Sequence, residues 1–103
     1  MGTYNGLDSA YNFSQDGTTV TSSGVSQSTS VPNDSSGSRA RQVRLMVTGN
    51  LYVKFGKGAT TATTNSALLS PNFDVVVNCK QFDTIAYIQE TAAAKLNIIP
   101  LEA

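Results

Sequence analysis

A chain of 103 residues with 14% charged side chains, seven basic and seven acidic, has room for one small domain and carries little surface charge. The charged fraction lies well below the ~25% usual in soluble proteins, and the balance argues against a phosphate-binding surface, because nucleic-acid affinity rests on Lys and Arg density. Histidine is absent and Cys79 is the single cysteine, which excludes the commonest metal ligand, a Ser-His-Asp triad and an internal disulfide framework.

A near-neutral surface is a weak pointer to cover by neighbouring subunits, since isolated proteins keep themselves soluble with net charge. No 18-residue apolar run is available to cross a membrane, and Met1 is followed by polar residues where a signal peptide needs a basic start and an apolar core. The expectation is a protein made and used without secretion, with neither membrane nor nucleic acid as partner.

Residues 1–38 contain no Lys or Arg, and ten of the eighteen residues from Ser14 to Val31 are Ser or Thr. So polar a stretch cannot bury enough apolar area to offset its ordering entropy, so it is predicted to be an extended N-terminal arm, mobile when alone. Its Tyr4, Leu7, Tyr11 and Phe13 form an aromatic and apolar cluster with two open readings: docking on another chain, or packing onto the chain's own domain. Extended at ~3.3 Å per residue, the arm reaches on the order of 120 Å, far enough to cross to another subunit. Val31 to Ser38 is dense in turn formers, and the spacing predicts a structured corner there.

Residues 39–103 are predicted to form the domain, an all-β, small antiparallel sandwich or barrel organised around Arg41 to Pro71. Val43, Leu45 and Val47 alternate with polar or longer side chains, as do Leu51, Val53 and Phe55. Read as a hairpin, a two-residue Gly49-Asn50 turn sends the two apolar rows to opposite faces. The prediction is a three-residue Thr48-Gly49-Asn50 loop, which pairs Val47 with Leu51, Leu45 with Val53 and Val43 with Phe55 and aims all six at one core, with Gly49 or Asn50 at positive φ. Gly56-Lys57-Gly58 then breaks the strand. It lacks the GxxxxGK[ST] spacing of a phosphate loop and is read as a connector that needs glycine for its backbone angles. Phe73, Val75 and Val77 predict a short strand after Pro71. Residues 82–96 allow a helix, from the spacing of Ile85, Ile88, Ala92 and Leu96, or two strands over Thr84 to Gln89 and Lys95 to Leu101; β-favouring residues tip the reading to strands, with Pro100 at an edge or strand end.

The chemistry of catalysis is missing, and no enzyme is expected. The carboxylates are scattered; only a convergence of Asp74 and Asp83 in space could give a glycosidase-like acid pair. Cys79 has no base partner and reads as a small core residue. No cofactor or metal site is expected. Arg39, Arg41 and Arg44 are the one basic cluster, either solvated or paired with Asp34 and Asp74, or else contacts to carboxylates of an assembly partner.

The string VPNDSSGSRARQVRL, followed by a short strand, YVKFG and a Thr/Ala-rich loop ending in LLSPN, resembles small structural proteins of tailed bacteriophages that are interpreted as capsid decoration, or cement, proteins. The likeness runs from about Val31 to Leu101 and is most specific over Pro32 to Gly37, Arg41 to Arg44 and Tyr52 to Gly56; the arm before Val31 lies outside it. It implies a homo-oligomer, a trimer being favoured, that sits on the shell of the major capsid protein. The location implied is the virion surface, with assembly in the bacterial host cytoplasm. On that reading, deleting residues 1–30 is expected to leave a folded domain that binds capsids poorly. The alternative is a receptor- or carbohydrate-binding module of a phage fibre or head spike, for which Tyr52, Tyr87 and the arm tyrosines supply candidate aromatic platforms.

Overall fold

The computed structural model describes residues 12–13 and 16–102, with no helix among them. Nine strands follow one another: β1 (Asn12–Phe13), β2 (Thr18–Thr21), β3 (Gln27–Ser30), β4 (Gln42–Val47), β5 (Leu51–Gly56), β6 (Ala67–Leu69), β7 (Val75–Asn78), β8 (Thr84–Gln89) and β9 (Lys95–Glu102). The first sheet runs β1 and β2 end to end beside β9, then β4, then β7; the second runs β3, β8, β5, β6. All pairings are antiparallel. The two sheets pack face to face as a small β-sandwich, and tyrosine, leucine, isoleucine and valine side chains from both inner faces make one core.

The apolar alternation read from the sequence is what closes this core. Val43, Leu45 and Val47 of β4 and Leu51 and Val53 of β5 are all buried, and Phe55 packs against them from the rim. The hairpin expected between these strands is not formed. Val47 lies opposite Leu96 of β9, and Leu51 lies between Gln89 of β8 and Leu69 of β6, so residues 48–50 carry the chain from one sheet to the other. Parity required both apolar rows to face one core, and two strands facing each other across a sandwich meet that requirement as well as two paired strands do. Neither Gly49 nor Asn50 has positive φ. Space at Gly49 is tight: a Cβ there would stand 3.1 Å from Ala94 Cβ, so Ala94 would have to give by a few tenths of an ångström.

Residues 84–101 resolve to two strands, with Ile85, Leu96 and Ile98 fully buried. Pro100 sits within β9 rather than on an edge. Thr48 N–H donates to Lys95 O, so odd-numbered residues of β9 aim their backbone groups at β4, and Pro100 aims its missing donor at the other side. There the neighbouring register covers Lys95–Ile98 and Leu101–Glu102 and skips Ile99 and Pro100.

The Ser/Thr-rich segment enters the sandwich, so the domain begins before residue 39. β2 pairs with β9 in the first sheet and β3 with β8 in the second. Ser22, 4% exposed, fixes the crossing between them: its N–H donates to Ala94 O at 2.8 Å and its Oγ accepts the Ala94 N–H at 2.8 Å. The corner expected at residues 31–38 is present, and it closes through the Asn33–Arg39 bridge and the Ala40 N–H bond to Pro32 O. Asp34 Oδ1 accepts from the Ser36 N–H (3.0 Å), the Ser36 hydroxyl (2.6 Å) and the Ser38 N–H (3.2 Å), and Gly37 takes φ +88. These hydrogen bonds, first among them the Ser36 hydroxyl's, hold Asp34 below the usual carboxylate range.

Candidate functional site

Among the described residues, five large apolar side chains are exposed, and four of them fall in the single stretch Leu68 to Val76: Leu68 (47%), Phe73 (70%), Val75 (36%) and Val76 (56%). This stretch is β6, the connection 70–74 and β7, which together form one lateral edge of the sandwich, β6 bounding the second sheet and β7 the first. The turn is written in the sequence. Pro71 presets its own φ, and Asn72 takes φ 75, the combination a type II turn asks for at its two central positions. The sharp turn carries the chain between sheets and leaves Phe73 in the solvent, outside the strand to which the alternation of Phe73, Val75 and Val77 assigned it.

Among the described residues, no strand pairs with the outer side of β7. Cys79 N–H donates to Arg41 O at 2.7 Å, so by alternation Val75 and Val77 aim their backbone groups at β4, in register with Leu45 and Val43. The N–H and C=O of Val76 and Asn78 therefore point off the sheet. Within Val75–Asn78 there is no lysine, proline or bulge of the kind that blunts natural edges. Val76 also stands on the outer face, in a cross-strand row with Arg44 of β4 and Ile99 of β9.

The residues singled out from the sequence are distributed differently. Tyr4, Leu7 and Tyr11 lie outside the described residues, and Phe13 belongs to β1, opposite Leu101. Arg39 is exposed and its guanidinium donates to Lys80 O at 3.4 Å; Arg41 is exposed just before β4; Arg44 is half-buried in the middle of the first sheet's outer face. Tyr87 is 5% exposed and part of the core, where burial pushes its phenol up, so it is no aromatic platform. Tyr52 is half-buried and donates its hydroxyl to Glu90 Oε2 at 3.4 Å.

Other chemistry-bearing groups hold the fold. Asp83 Oδ1 accepts from the Gly58 N–H (2.9 Å) and the Thr84 hydroxyl (2.8 Å), which lowers its pKa. Gly58 takes φ +64, and the Gly-Lys-Gly loop is thereby tied to the β7–β8 connection. A carboxylate stabilised in its charged form is poorly placed to act as the proton donor of an acid pair. Phe55 and Phe82 close the core nearby with ring centroids 6.1 Å apart. Cys79 is fully buried, donates to Ala40 O at 3.3 Å, and burial pushes its thiol up. No group of three or more Cys, Asp or Glu among the described residues is placed to hold a metal ion.

The sequence reading missed the edge because it took the alternation of Phe73, Val75 and Val77 as one short strand and passed over Val76. A run of three valines breaks the alternation, and that break marks a strand apolar on both faces. Fold and edge together define an antiparallel β-sandwich with an exposed, strand-competent apolar border. Comparison with known proteins finds no family model, curated protein or solved structure that matches this chain.

Proposed function

We propose that this chain is a structural virion protein, a decoration or cement subunit that binds the outside of the major capsid protein shell as a homo-oligomer and stabilises it without catalysis. The observation that carries the reading is the gathering of four exposed large apolar side chains, Leu68, Phe73, Val75 and Val76, in one stretch at the edge of a sandwich whose connections are tied down by hydrogen bonds. Apolar surface gathered in one place, not scattered singly, marks a contact with another macromolecule. The likeness of Val31 to Leu101 to phage decoration proteins supplies the partner.

The mechanism is mass action. A subunit that binds the assembled shell and not its dissociated parts stabilises the shell by its binding free energy, about 2.7 kcal/mol per site at a free concentration of 100 Kd. A repeating lattice gives each subunit many equivalent sites, and subunits linked to one another gain in avidity. The test mixes the purified full chain with shells assembled from the major capsid protein of the same genome. Saturable co-sedimentation and a raised shell melting temperature are expected. Absence of co-sedimentation together with an unchanged melting profile overturns the reading.

A further inference from the structure

We propose that the β7 edge is the site at which a second copy of this chain adds, two β7 strands pairing antiparallel about a two-fold axis so that two first sheets become one continuous sheet. The inference goes beyond shell binding and does not rest on it.

The argument is one of register. In an antiparallel ladder, residues that exchange hydrogen bonds must both aim their backbone groups at the partner strand. On β7 these are the even-numbered residues, Val76 and Asn78; in the pairing proposed, the ladder would extend the alternation to Asp74, one step before the strand. A two-fold pairing must therefore join even residues to even residues; an axis through Val75 or Val77 does so too, but sets each exposed Val76 against the polar Asp74 or Asn78 of the second copy. Joining Asp74 to its own copy would set two carboxylates face to face, and joining Asn78 to its own copy would push Val76 off the end of the strand. Joining Val76 to the second copy's Val76 places Asp74 opposite the second copy's Asn78, and Asn78 opposite the second copy's Asp74. All three pairs lie on the outer face. A carboxylate then meets an amide that can donate to it, and the two exposed valines cover each other at the axis, a favourable β-branched cross-strand pair. The surface is self-complementary, as an isologous interface demands. Leu68 and Phe73 precede the paired segment and remain outside it. The arrangement is two-fold, in contrast to the trimer that the family likeness implies.

The experiment uses the full chain. Sedimentation equilibrium is expected to give twice the chain mass, falling toward the chain mass on dilution. Hydrogen exchange is expected to show the Val76 and Asn78 amides protected along with those of Val75 and Val77. Val76→Lys puts two cations at the axis without touching the core, and is expected to give a monomer of unchanged far-UV circular dichroism in which the Val76 and Asn78 amides lose at least about tenfold of their protection while Val75 and Val77 keep theirs. Val76→Thr, still β-branched, is expected to remain dimeric. A chain that stays monomeric near millimolar concentration, a trimer, or a dimer that survives Val76→Lys with its Val76 amide unprotected overturns the proposal. Shell co-sedimentation is read separately, so the failure of one reading leaves the other measurable.

Discussion

Two side-chain oxygens in this protein accept a backbone N–H at the same distance, 2.8 Å: Ser22 Oγ from Ala94, and Thr48 Oγ1 from Lys95. Bond length predicts equal worth; burial predicts otherwise. Ser22 and Ala94 are both buried, so Ser22→Ala strands the Ala94 N–H where water does not reach it, at a cost of about 1–3 kcal/mol. Thr48 and Lys95 are exposed, so in Thr48→Ala water takes over the Lys95 N–H and the loss stays within about 0.5 kcal/mol. In a domain of this size each kcal/mol lowers Tm by roughly 4–8 °C, so thermal melts separate the two variants and urea titrations give the free energies. Equal losses for Ser22→Ala and Thr48→Ala, or a Ser22→Ala loss below about 0.3 kcal/mol, would refute the claim that burial sets the value of these bonds.

Three further predictions concern the whole fold. Deleting residues 1–30 removes β1, β2 and β3, uncovering the edges of β9 and β8, so cooperative unfolding should vanish from the melts; a folded truncated domain, the outcome expected from the sequence, would contradict the pairings. Asp34 and Asp83 have pKa values depressed in the fold, so their stabilisation is present above the ordinary carboxylate value and is lost as pH falls through the lowered ones; Tm should drop in acid, and less steeply in Asp83→Asn. Cys79 has a raised pKa because it is buried, so stability should decline once pH climbs past the ordinary thiol value, and a thiol reagent should label the chain only after unfolding in urea.

What was legible in the sequence was what alternation writes locally. Val43 to Phe55 and Ile85 to Ile98 place their apolar residues by period two, and those rows are the core. Which strands pair is not written that way, because a hairpin and a sandwich crossing leave the same parity at residues 48–50. β2 and β3 escaped for a different reason: Thr18–Thr21 carries one apolar residue and Gln27–Ser30 none, and both are strands because β9 and β8 offer them backbone partners. Asp34, Gly37 and Gly58 fall in the stretches the sequence marked as a corner and a connector, whereas the turn at Pro71-Asn72 was passed over, Pro71 being read only as the entrance to a strand. The interaction edge was half readable, since three consecutive valines are visible in the sequence but their place on an outermost strand is a property of the assembled sheets.

The position of β9 has a consequence for how the chain comes into being. It lies between β1 and β2 on one side and β4 on the other, and it is synthesised after every strand it joins. Until residues 95–102 emerge from the ribosome, the strands at 18–21 and 42–47 have nothing to hold them in one sheet, and Leu45 has no Ile98 opposite it. Six of the eight connections between the described strands also switch sheets, so most contacts are non-local, and folding belongs in the millisecond-to-second range typical of such topologies. The nascent chain thus holds its valine-rich β7 against β4 alone until the strand that joins β4 to the rest of its sheet has been made.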